Sequence, residues 1–91
     1  MTHVVGERID VSFAISNGVP QSLALEIRHS EDVSTVIPLA SLELVGAAYR
    51  YSFVALASHI GWWRYRFTGV DSLGVEFAWP PDRHWDVFDI E

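Results

Sequence analysis

Asp82, His84, Asp86 and Asp89 gather carboxylates and an imidazole near the end of the chain, a donor set that suits several cations. Strand alternation would send His84 and Asp86 to one face and leave Asp82 behind in the Pro80-Pro81 turn. No loop spacing of a known cation site fits, so the segment reads as a solvated acidic tail and no metal is expected. Serine, histidine and aspartate all occur, but there is no Gly-x-Ser-x-Gly elbow and no clustered nucleophile and base. Nor is there a glycine-rich phosphate loop or a paired His or Cys ligand set. No catalytic residue and no cofactor are expected, and a small domain offers little room for a closed pocket.

The residues that could do recognition are tryptophans and arginines. Trp62, Trp79 and Trp85 invite an interface or a stacking role, because indole and guanidinium groups anchor protein contacts and aromatic faces also receive sugars. Arg50, Arg64 and Arg66 form the matching cationic set. If their strands are neighbours, all three project from one sheet face as a basic stripe. The plainer expectation is a solvated face with carboxylate neighbours such as Glu76 across the hairpin. Acidic groups collect at Glu7 and Asp10 near one end and at Asp82, Asp86, Asp89 and Glu91 near the other. A basic face on one copy could therefore meet an acidic end of the next, or of another protein.

Alternation of apolar and polar residues defines the elements that hold these groups. In Gly61-Trp62-Trp63-Arg64-Tyr65-Arg66-Phe67 the bulky residues Trp63, Tyr65 and Phe67 share one face. Trp62, Arg64, Arg66 and Thr68 share the other, the pattern of a strand with one buried side. Ile9, Val11, Phe13 and Ile15 alternate over Glu7 to Ser16, as do Leu23, Leu25 and Ile27 over Ser22 to His29. Tyr49, Tyr51 and Phe53 follow the same rule over Tyr49 to Leu56, and Val75, Phe77 and Trp79 alternate against Glu76 and Ala78. Phe88 and Ile90 are expected inside a last strand, Trp85 to Ile90.

Between these runs lie turn signals at Asn17-Gly18-Val19-Pro20, Ser30-Glu31-Asp32, Asp71-Ser72-Leu73-Gly74 and Pro80-Pro81-Asp82. Val33 to Leu39, with Val33, Thr35 and Ile37 on one face, is expected at a sheet edge because Pro38 has no amide to donate. Ala40 to Val45 fits either a short strand or one helical turn. Seven or eight short strands and no long helix predict an all-β, antiparallel sandwich. The aliphatic faces of the first two strands are expected to pack on the aromatic faces of the later ones.

With 91 residues the chain is read as one domain, residues 1–91, with a thin margin of buried surface. Nearly half of it is hydrophobic (49%), which argues against disorder. No apolar run reaches the ~20 residues of a membrane helix. The start, Met1 to Glu7, lacks the basic and apolar segments of a secretory leader. Cysteine is absent, so no disulfide framework is available. A net charge of −6 makes nucleic-acid binding through a broad basic surface improbable.

The order of these features resembles that of the small immunoglobulin-like domains encoded among the structural genes of tailed bacteriophages and prophages. The residues that carry the resemblance are Gly6 through Phe13, Asn17-Gly18, Leu25-Glu26-Ile27-Arg28, Gly46 with Tyr49, Gly61 through Arg66, and Phe88-Asp89-Ile90. Two features depart from the pattern. Ala47-Ala48 separates Gly46 from Tyr49 where the family has one residue, and Trp79-Pro80-Pro81 breaks a stretch that usually runs on. The resemblance implies an immunoglobulin-like fold and a non-enzymatic virion part of the neck, head–tail connector or tail. Such a part assembles in the host cytoplasm and packs against other virion proteins and its own copies, often as a ring, without membrane or nucleic acid. The competing expectation is a carbohydrate- or receptor-binding module that uses Trp62, Trp79 and Trp85.

Overall fold

The computed structural model describes residues 2–15, 18–30, 34–81 and 84–91. Ser16, Asn17, Glu31, Asp32, Val33 and Asp82, which enter the strand, turn and acidic-tail expectations above, lie outside the described residues. Nine strands are present among those described: β1 (Thr2–His3), β2 (Arg8–Ala14), β3 (Ser22–His29), β4 (Thr35–Pro38), β5 (Glu43–Val45), β6 (Ala48–Val54), β7 (Gly61–Val70), β8 (Glu76–Trp79) and β9 (Asp86–Ile90). They form a six-stranded sheet, ordered β1-β9-β7-β3-β4 with β8 also paired to β7, and a three-stranded sheet, β2-β6-β5. The two sheets pack face to face as a sandwich.

β7 organises the larger sheet. Along one edge it pairs with the whole of β3, from Ser22↔Val70 to His29↔Trp63. Its other edge is shared: β9 takes Gly61–Tyr65 and β8 takes Phe67–Val70. The break between β8 and β9 falls at Pro80-Pro81, where Trp79–Pro80 is a cis peptide bond. Prolines cannot donate to a ladder, so the chain leaves β7 there and rejoins it as β9.

Alternation then decides what is buried. Odd-numbered β7 residues turn inward, and Phe67 is 0% exposed. Its ring stacks on Phe13 of β2 at 5.6 Å, and Phe13 in turn stacks on Phe77 at 5.4 Å. Trp63 meets Phe53 of β6 at 5.3 Å and lies parallel to Phe88 at 5.9 Å. Its indole N–H donates to the His59 carbonyl, 2.9 Å away. Ile9, Val11, Leu23, Leu25, Ile27, Ile37, Tyr49 and Ile90 fill the remaining space between the layers.

Several sequence expectations need correction. The first two long strands do not form one aliphatic layer. β3 lies beside β7 in the same sheet, pairing Leu25 with Phe67 and Ile27 with Tyr65, while β2 packs from the opposite sheet. The sandwich is not wholly antiparallel, because β1 runs parallel to β9. Two residues are too few to show a period, which is why β1 was not foreseen. The ambiguous segment is both of its alternatives in turn, a 3₁₀ turn at Leu39–Ser41 and then β5. The expected edge position of Pro38 holds, since β4 ends the larger sheet.

The passage from β1 to β2 ties the sheets together. The Val5 amide donates to the Glu91 carbonyl in one sheet, and the Gly6 amide donates to Ala55 in the other. Gly6 sits at φ 92°, where a side chain would be strained. The His3 imidazole and Glu7 carboxylate hydrogen-bond across the same turn, and His3 lies edge-on to Phe88. That bond holds the Glu7 carboxyl below its ordinary pKa.

Gly69 is needed for a different reason. A Cβ placed there would lie 2.1 Å from the Ser22 carbonyl oxygen of the paired strand. We expect Gly69→Ala to cost about 1–3 kcal/mol, because backbone must move to admit the methyl. Phe67→Ala should cost about 3–5 kcal/mol by opening a cavity between the layers. Urea denaturation of both variants measures this, and a Phe67→Ala midpoint equal to wild type would refute the two-layer core.

Candidate functional site

The outer face of β7 presents Trp62, Arg64, Arg66 and Thr68, as alternation demands. Arg28 of β3 faces Arg64 across the strands, and Glu26 faces Arg66. Like charges opposite one another are destabilising in a sheet. Arg64 also meets two aromatic rings. The Arg64 guanidinium carbon lies 5.5 Å from the centre of the Trp62 ring and 5.2 Å from that of Trp85. Arg66 lies 4.5 Å from the centre of the Trp85 ring. Such contacts contribute about 0.5–1 kcal/mol where exposed and more where water is excluded.

Trp85 is therefore the keystone of this face. It leaves the proline break and folds over two arginines at once. Arg66 is also held by Glu26, with nitrogen–oxygen distances of 2.9 and 3.0 Å. Its side chain retains only 28% exposure, so the guanidinium is fixed rather than waving in solvent. Glu26, not Glu76, is the carboxylate that pairs with this stripe. Glu76 lies at the far end of β7, opposite Val70.

Two expected members of the site lie elsewhere. Arg50 belongs to β6, in the smaller sheet, so it projects from the opposite outer surface. There its guanidinium pairs with Glu43 at 2.9 Å, on the strand beside it. Trp79 turns toward the inner layer, 6.3 Å from both Phe13 and Tyr65, and closes the end of the core with 37% of its surface exposed. The structure thus brings Trp62, Arg64, Arg66 and Trp85 together and excludes Arg50 and Trp79. Glu26 and Arg28 complete the face. Their outward direction was legible, but their alignment with β7 required the register.

Among the described residues no group of three His, Cys, Asp or Glu side chains could hold a metal ion. Asp86 is turned inward and accepts a hydrogen bond from the Tyr65 hydroxyl at 2.8 Å. A groove of about 200 Å³ runs beside this pair, between β2 and β9, lined by His3, Ile9, Val11, Tyr65, Asp86 and Phe88 among others. A second hollow, about 190 Å³, opens among Ile27, Ile37, Tyr51, Phe53, His59 and Trp63. Both fall below the roughly 300–1,000 Å³ typical of small-molecule sites.

No family model matches the chain, and no curated protein or solved structure matches it.

Burial, and then the Asp86 carboxylate, push the Tyr65 phenol well above the ordinary tyrosine value. The folded state thus prefers the neutral ring, while an unfolded tyrosine ionises near pH 10. The stability it contributes is complete below that pH and falls as pH rises toward the folded pKa. Tyr65→Phe should flatten the alkaline loss of stability and cost about 1 kcal/mol at neutral pH. Denaturation midpoints across the alkaline range measure both effects, and an unchanged alkaline slope would assign that loss to other groups.

Proposed function

We propose that this chain is a non-enzymatic structural subunit of a tailed phage or phage-like particle, placed in the neck, head–tail connector or tail. It assembles in the host cytoplasm and acts by packing against neighbouring virion proteins. The particle assignment rests on the sequence resemblance. The observation that carries the packing role is the Trp62–Arg64–Arg66–Trp85 face, a pre-ordered aromatic and cationic patch on the outer surface of the larger sheet. Tryptophan and arginine dominate the energetics of protein interfaces. Groups already immobilised by their neighbours lose less entropy on docking.

The strand order supports the immunoglobulin-like part of this reading. In that fold one sheet contains B, E and D neighbours and the other contains C, F and G. Here β2-β6-β5 would correspond to the first and β3-β7-β9 to the second, with β4 added beyond β3. A saccharide platform needs free indole faces, whereas Trp62 and Trp85 each already receive a guanidinium.

The test is incorporation. Purified particles from the source of this gene should contain the chain by mass spectrometry. Arg64→Glu should leave the melting temperature of the isolated domain within a few degrees, yet lower incorporation at least about tenfold, the effect of 1.4 kcal/mol. Particles that lack the chain would overturn the proposal. So would a glycan-induced change in tryptophan fluorescence that Trp62→Ala or Trp85→Ala abolishes.

A further inference from the structure

We infer that β2 is a self-pairing edge, through which two copies of this chain join their smaller sheets into one continuous six-stranded sheet about a two-fold axis. The Ile15 amide donates to Ala47, and the Ala55 amide donates to the Glu7 carbonyl. With the register unbroken from Arg8↔Val54 to Ala14↔Ala48, the odd-numbered residues of β2 turn their backbone groups to β6. Arg8, Asp10, Ser12 and Ala14 turn theirs the other way. Among the described residues no strand pairs that side, and all four are exposed.

The other sheet edges are blunted in ways natural proteins use against association. β4 is four residues long and carries Pro38, β8 has four residues and runs directly into Pro80, β5 has three residues, and β1 has two. β2 has seven residues and no proline. Its charged residues, Arg8 and Asp10, satisfy each other at 3.1 Å and leave the edge itself uncovered. The groove beside Ile9 and Val11 leaves open space beneath the edge for an approaching strand.

The occupant is a second β2 because the strand complements itself. In an antiparallel pairing centred on Val11, Arg8 faces Ala14 of the second copy and Asp10 faces its Ser12, so the whole of β2 overlaps. Each facing pair exchanges two backbone hydrogen bonds. Centring on Asp10 instead would oppose two carboxylates, which is unfavourable. In the Val11-centred register the rung that runs Glu43, Arg50, Ser12 continues into Asp10 of the second copy. Arg50 then lies between Glu43 on the adjacent strand and, one strand beyond Ser12, Asp10 of the second copy, so opposite charges alternate along the rung. The two-fold makes this contact isologous, so it closes at two copies.

Sedimentation over a concentration series tests the pairing. Wild type should form a dimer, and Ser12→Pro should raise its dissociation constant at least about tenfold by removing an edge amide. A proline is tolerated where the lost N–H points away from the sheet, so the variant should keep its melting temperature within a few degrees. Because the chain has no cysteine, register can be read by cross-linking. The Asp10→Cys/Ser12→Cys double variant should form a disulfide-linked dimer, and Asp10→Cys alone should not. A monomer at every concentration, a dimer indifferent to Ser12→Pro, or cross-linking of Asp10→Cys alone would each overturn the inference. It stands apart from the particle assignment: Arg64→Glu should leave this dimer intact, and a chain absent from particles could still form it.

Discussion

Burial of the Phe67 ring between the sheets is the contact on which the rest of the architecture depends. It lies on the central strand of the larger sheet, where β3 pairs on one side and β8 on the other, and it touches the opposite layer through Phe13. Once that ring is inward, the period of two places Trp63 and Tyr65 inside with it. It also compels Trp62, Arg64 and Arg66 outward. The recognition face is thus a by-product of core packing: no residue on the outer side of β7 could be there unless its neighbours were committed to the core. A one-residue slip would put two guanidinium groups between the layers, a desolvation penalty the fold could not sustain.

The outer face then solves a problem that the register creates. Placing Arg28 beside Arg64 concentrates positive charge on adjacent strands. Trp85 and Glu26 answer it in different ways. Glu26 neutralises Arg66 directly, whereas Trp85 offers a ring face to both Arg64 and Arg66 and shields them from water. The proline break makes the second answer possible. Because β8 ends at Trp79 and β9 begins only at Asp86, Trp85 lies outside both strands and can lay its indole across the sheet. A continuous strand would have kept residue 85 in the plane of the sheet. The smaller sheet handles its charges more locally. Ser52 and then Arg8 hold the Asp10 carboxyl below its ordinary pKa, and Arg50 pairs with Glu43 on the adjacent strand.

What could be read from the residues was whatever depends on a chain's own period. The inward set Ile9, Val11, Phe13, Leu23, Leu25, Ile27, Phe67, Phe88 and Ile90, and the edge position of Pro38, follow from alternation and from the missing proline amide. What could not be read depends on which strand lies beside which. Tyr49-Arg50-Tyr51 and Trp63-Arg64-Tyr65 have the same local pattern, so nothing local says that Arg50 and Arg64 leave from opposite surfaces. Glu76 was the carboxylate neighbour expected across the hairpin, and only the pairing of β3 along the whole of β7 sets Glu26 opposite Arg66. Trp79 and Trp85 look symmetrical about the prolines, yet one closes the core and the other covers the arginines. In each case pairing order supplied the missing information, and pairing order is set by contacts distant in sequence.

The two sheets differ at their edges. A chain of this size buries a modest share of its surface, so each sheet has few strands to spare. The N-terminal segment could lie against either layer. Here β1 joins β9, the Val5–Glu91 bond fixes it there, and the smaller sheet is left with three strands. Backbone groups along β2 that an additional strand would have satisfied face outward instead. Water can hydrogen-bond them, but a strand does so while also extending the apolar inner face formed by Ile9, Val11 and Phe13. The placement of a two-residue strand at one edge of the sandwich thereby leaves the longest open edge among the described residues in the other layer, beside a groove rather than beside filled core.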